Sequence, residues 1–78
     1  MLKFELYKDS AMEKQYRYFR EGTEDSGIVS IDLSTGKTSI VELAQGDKFK
    51  RYAFHLMRRL EEMFSTKKFS ETGLVMWY

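Results

Sequence analysis

His55 is the chain's only histidine, and cysteine is absent, so most familiar catalytic and metal-binding constellations cannot be assembled from it. Thiolate metal sites, cysteine nucleophiles and disulfides are all excluded together. At helical spacing, His55 lies beside an apolar stripe with Arg51 and Arg59 one turn to either side. A general base needs a carboxylate to orient the ring, whereas flanking cations disfavour its protonated form, so this histidine reads as structural or solvated.

Gly36-Lys37-Thr38 has the look of the end of a phosphate-binding loop. That motif requires an earlier glycine where this chain has Ile31, and a helix must follow so that amides converge on phosphate. A β-favouring run follows instead, and the tripeptide reads as a hairpin turn. The serines and threonines include no G-x-S-x-G elbow. Glu21, Glu24 and Asp25 crowd one loop but lack the ligand spacing of a calcium site, which leaves a solvated loop. Catalysis would need distant acids such as Glu5, Asp32 and Glu42 to converge from separate strands. No cofactor is expected.

The remaining chemistry is cationic. Between Lys37 and Lys68 there are eight basic and four acidic residues, whereas Met1 to Gly36 holds five basic and seven acidic, so a net charge of +1 hides a polarised molecule. Lys50, Arg51 and Arg58 share the polar side of a helix with Phe54, an apolar ring nearly opposite Leu56, and Lys67 and Lys68 follow that helix. An apolar ring among arginines suits an interface in which a guanidinium stacks on it beneath a partner. The expectation is therefore a non-enzymatic protein-interaction or regulatory module whose surface comprises Lys50, Arg51, Phe54, Arg58, Lys67 and Lys68. The partner is another protein or a second copy in a homodimer. Nucleic acid is the alternative, weakened by near-neutral total charge and by Glu61 and Glu62.

These residues need a scaffold. Leu2, Phe4 and Leu6 alternate with Lys3, Glu5 and Tyr7, as in a strand buried on one face. Lys8 to Lys14 reads as a connection, and Tyr16 to Arg20 as a second strand. Residues 21–27 form a loop. Ile28 to Leu33 and Thr38 to Leu43 make a hairpin around Ser34-Thr35-Gly36, with Gly36 in the left-handed conformation and the Asp32 carboxylate accepting from turn amides. Asp47 is placed to cap a helix running to Phe64, along which Phe49, Tyr52, Ala53, Leu56, Leu60, Met63 and Phe64 recur at spacings of three and four. Leu74 to Tyr78 reads as a last strand, too apolar for an exposed edge, so it is expected to insert beside a neighbour or to be covered by a partner.

The fold class is thus α+β: a small antiparallel sheet in the order β-β-β-β-α-β with one amphipathic helix packed on one face. Residues 1–78 suffice for a single domain and one core. Aromatic residues make up 15% of the chain, and Phe4, Tyr16, Tyr18, Phe49, Tyr52, Phe64 and Trp77 are expected to carry much of that core. No apolar run approaches bilayer length, and the opening MLKFELYKDS lacks an apolar signal region, so a cytoplasmic protein without a membrane partner is expected.

The segments DLSTGK, VELAQGDKFKRYAFHLMRRL and GLVMWY, in that order from Gly27 to Tyr78, resemble a group of small bacterial proteins with a hairpin, a helix and an aromatic-ended last strand. The resemblance implies that element order and brings no activity or binding residues.

Overall fold

A computed structural model describes residues 1–20 and 22–76. Glu21, Trp77 and Tyr78 lie outside the described residues, and with them the expected core role of Trp77.

Strands β1 (Leu2–Asp9), β2 (Glu13–Arg20), β3 (Ser26–Asp32) and β4 (Thr38–Glu42) precede helix α1 (Arg51–Thr66) and strand β5 (Thr72–Val75). They form one antiparallel sheet in the order β4-β3-β2-β1-β5, the α+β class expected. Alternation along β1 turns Leu2 and Phe4 inward, where cross-strand neighbours Tyr18 and Tyr16 and, farther on, Val29 and Ile31 complete one apolar face. Ala53, Leu56, Leu60 and Met63 of α1 are buried against it. The Phe4 and Tyr16 rings meet edge-on with centroids 5.6 Å apart. No described helix is long and apolar enough to cross a membrane.

The first hairpin is tighter than its polar composition suggests. The expected connection from Lys8 to Lys14 shrinks to Ser10, Ala11 and Met12. The Ser10 hydroxyl accepts the Met12 and Glu13 amides and donates to the Glu13 carbonyl, while Lys14 pairs with Asp9 at 2.8 Å. Polar residues here occupy exposed strand ends, which cost nothing to hydrate. The second hairpin forms as expected: Gly36 has φ 78°, and Asp32 Oδ1 accepts the Ser34 and Thr35 amides at 2.8 and 3.3 Å. The Ser34 hydroxyl, donating to the same oxygen at 2.6 Å, is the main reason the Asp32 carboxyl is held below its ordinary range.

Three expectations require correction. Phe49 is 87% exposed and contributes nothing to the core, because α1 begins two residues after it and Lys50 intervenes in the left-handed region at φ 60°. Asp47 caps the helix, but from beyond Lys50: its Oδ1 accepts the Tyr52 amide at 3.1 Å and its Oδ2 the Ala53 amide at 2.9 Å, the second and third amides of the helix. Finally, β5 is not inserted between strands: among the described residues it lies at a margin of the sheet and pairs with β1 alone. Phe4, Tyr16 and Tyr18 are fully buried as expected, with Tyr52 and Phe64 partly so.

Candidate functional site

The loop leading into α1 is fixed from two sides. The Tyr18 ring crosses Gly27, where a Cβ would come within 2.5 Å of the ring and 2.6 Å of the Glu42 carbonyl oxygen. Its hydroxyl thereby reaches Asp47, donating to Oδ2 at 3.2 Å, and accepts the Ala44 amide at 3.1 Å. On the outer side, Asp25 accepts the Gln45 and Gly46 amides at 2.9 and 2.7 Å, and Arg20 Nη1 donates to the Gly46 carbonyl at 3.0 Å. Arg20 Nε sits 3.1 Å from Asp25 Oδ2, close enough for an ion pair but without hydrogen-bond alignment. Asp25 is thus a structural anchor rather than part of a solvated acidic loop, which corrects the sequence reading.

This anchored loop presents Phe49 beside the first turns of α1. Phe49, Arg51, Phe54, His55 and Arg58 line a shallow depression of about 330 Å³. Phe54 is 51% exposed, as its place on the helical wheel requires. Of the six surface residues singled out in the sequence, Arg51, Phe54 and Arg58 are brought together here, and Lys50 adjoins them at the helix start. Lys67 and Lys68 lie beyond the far end of the helix, about 24 Å from Arg51 and about 14 Å from Arg58 at the α-helical rise, and do not line the depression. No guanidinium stacks on Phe54 among the described residues; the cation-ring pairs are instead Arg17 with Tyr7, Arg20 with Tyr52, Lys14 with Phe69 and Lys8 with Tyr7.

The sequence reading missed Phe49 and His55 as lining residues. The available signal was the turn at Gln45-Gly46-Asp47, which leaves the start of the helix open, so Phe49 could belong to the loop. His55 is held below its ordinary range, first by burial and then by Arg58, the amino terminus and Arg51. Arg58 thus acts on the ring ahead of Arg51, which the spacing picked out.

A second depression of about 310 Å³ begins on the other side of His55 and Arg58 and is completed by Arg59, Glu62, Leu74, Val75 and Met76. The sheet keeps the distant acids apart. Glu5, Arg17, Ile28 and Glu42 stand in one cross-strand row, which puts Glu5 and Glu42 about 14 Å apart at ordinary strand spacing, and Asp32 closes the opposite hairpin. No described group of histidines and acids has the arrangement to hold a metal. Comparison of the chain with protein-family models, curated proteins and solved structures finds no match, so the site is read from its own residues.

Proposed function

We propose that the chain is a non-enzymatic protein-interaction module that binds through the outer face of the first half of α1. One observation carries the reading: two exposed phenylalanine rings, Phe49 and Phe54, line a depression together with Arg51, His55 and Arg58. Apolar rings set among arginines have the composition of an interface centre rather than of an ordinary solvated face. The fitting partner surface is acidic with an apolar anchor, since its charge offsets the arginines and its anchor dries the rings.

Pull-down with the wild-type chain and with a Phe54→Ala, Arg58→Glu double variant of unchanged circular dichroism tests the proposal. A protein retained by the wild type and lost by the variant is expected. Identical recovery by both removes this face from function.

The arginines also suit phosphate, so nucleic acid is the second reading. Filter binding over a range of salt concentrations separates the two, because phosphate contacts give a negative slope of log affinity against log salt. Binding with that slope, abolished by Arg51→Glu and indifferent to Phe54→Ala, would favour nucleic acid.

A further inference from the structure

Strand β5 has a neighbour on one side only. Its register pairs Leu2 with Val75 and Phe4 with Gly73, and the Leu6 amide donates to the Glu71 carbonyl at 2.6 Å. Alternate residues of an antiparallel ladder turn their backbone groups toward the same neighbour. Glu71, Gly73 and Val75 therefore face β1, while the N–H and C=O groups of Thr72 and Leu74 face outward. The opposite margin is defended: β4 bulges at Val41, which has no partner in the register, and carries Glu42 next to it. Residues 72–76 contain no charge, proline or bulge, three devices that blunt an edge, and the short length of β5 is what limits it.

The two faces of this edge differ. Leu74 pairs with Lys3 and so points away from α1; it is 54% exposed, and Met76 is 64% exposed. On the helix side, Val75 packs against the core, and the depression beyond it is walled by His55, Arg58 and Arg59, with Leu74 and Met76 at its strand margin. Glu62, the one acid there, lies 3.7 Å from Arg59 in an exposed pair of the weakly held kind. An uncharged strand edge thus runs beside a cationic wall. A strand added to it alternates its side chains between an apolar face and that wall.

We propose that β5 takes up an extended acidic segment of a partner protein as a sixth strand, its apolar side chains beside Leu74 and its acidic side chains toward Arg58 and Arg59. Backbone hydrogen bonds from the edge give affinity, and the alternation of acid and apolar residue gives specificity. A second copy pairing β5 with β5 brings only the uncharged residues 72–76 and leaves both arginines unanswered. Charge complementarity therefore selects a foreign acidic strand. The inference shares His55 and Arg58 with the helix-face reading but rests on the strand edge, and it does not need Phe49 or Phe54.

The test titrates the isotope-labelled full chain with a capped peptide of alternating valine and glutamate, followed by amide NMR. The largest shifts are expected at Thr72 and Leu74. Binding should weaken about tenfold, the loss of two solvent-exposed ion pairs, in an Arg58→Glu, Arg59→Glu variant. Leu74→Pro should weaken it comparably, because it removes an outward N–H and leaves the bonds to β1 in place. The exposed arginine variant keeps the test decisive should the proline disturb the sheet. Phe54→Ala should bind as the wild type does, which separates this inference from the helix-face proposal. No binding, equal binding of a valine-lysine peptide, or shifts confined to Phe49 and Phe54 would overturn it. Concentration-dependent dimerisation in sedimentation, abolished by Leu74→Pro, would assign the edge to a second copy instead. Retention of a single-stranded oligonucleotide without the peptide would assign the wall to phosphate.

Discussion

The Tyr18 hydroxyl, on the second strand, donates to the carboxylate of Asp47, which is 3% exposed and simultaneously accepts two amides of the helix start. One buried carboxylate therefore joins the sheet, the loop and the helix that carries the candidate surface. Its three donors compensate for removing its charge from water, and each loss leaves a polar group unpaired in the interior.

Tyr18→Phe is accordingly expected to destabilise the chain by about 1–3 kcal/mol, since it removes the donation to the buried carboxylate and leaves the Ala44 amide without its acceptor. Asp47→Ala should cost about 3 kcal/mol, since it removes a helix cap and strands the tyrosine hydroxyl together. Urea denaturation followed by circular dichroism measures both. A Tyr18→Phe variant as stable as the wild type would mean that the hydroxyl contributes nothing to holding Asp47.

Gly27→Ala should be at least as damaging as Tyr18→Phe although it removes no interaction. The added Cβ would lie 2.5 Å from the Tyr18 ring and 2.6 Å from the Glu42 carbonyl oxygen, so the ring or strand β4 must move. Overpacking of this kind costs about 1–3 kcal/mol. Thermal melting reads the loss, and an unchanged midpoint would show that the ring has room to shift.

How far the sequence carried this architecture depends on the range of the interaction concerned. Alternation in Leu2 to Leu6, the Gly36 turn with its Asp32 carboxylate, and the stripe from Ala53 to Met63 are local patterns, and all three were legible. Asp47 was legible as a cap but not as a cap acting over Lys48 to Lys50, because that geometry depends on Tyr18 reaching it from 29 residues away. Phe49 was misplaced for the same reason: its periodicity matches the stripe, and only the left-handed Lys50 breaks the phase. The edge position of β5 is a matter of strand order, which no local pattern encodes. Arg51, Phe54 and Arg58 were found because an exposed ring among arginines is visible on a helical wheel, whereas Lys67 and Lys68 were grouped with them by charge and separated by helix length.

Lysines occupy left-handed backbone at both ends of the helix, Lys50 at φ 60° and Lys67 at φ 58°. At the second, the Lys67 amide donates to the Phe64 carbonyl and the Lys68 amide to the Met63 carbonyl, a closing turn in which glycine is the usual residue. Lys67→Gly should therefore stabilise the chain by about 1 kcal/mol by removing the Cβ penalty. A raised urea midpoint with an unchanged slope is the expected reading, and a lowered midpoint would show that the lysine side chain makes a larger contribution than its backbone strain.

At alkaline pH the two buried phenols decide the outcome. Burial, chiefly, pushes both Tyr16 and Tyr18 from 10.0 up to about 12. Their contribution is intact below pH 10.0, where folded and unfolded chains both keep the proton. It is lost as pH rises toward 12, because the unfolded chain ionises first and is favoured by doing so. Denaturant midpoints should fall across that interval. The fall should coincide with delayed tyrosinate absorbance in the native chain, and a flat midpoint would contradict burial of the phenols.

At acid pH the corresponding group is His55, with the opposite sign. Burial first, then Arg58, the amino terminus and Arg51, holds its imidazolium less stable in the folded chain than at its ordinary value of 6.5. Below that value the unfolded chain takes up the proton before the folded one does, so stability falls with pH until the folded pKa is passed and then levels. His55→Gln should remove this component, and comparing the two midpoints between about pH 7 and 5 isolates it from the carboxylates. Acidic side chains seated beside Arg58 and Arg59 would offset those cations and favour the imidazolium. The valine-glutamate peptide should therefore raise the imidazole pKa measured by NMR and bind more tightly as pH falls through it. Peptide binding that leaves the imidazole titration unmoved would place the acids somewhere other than the cationic wall beside β5.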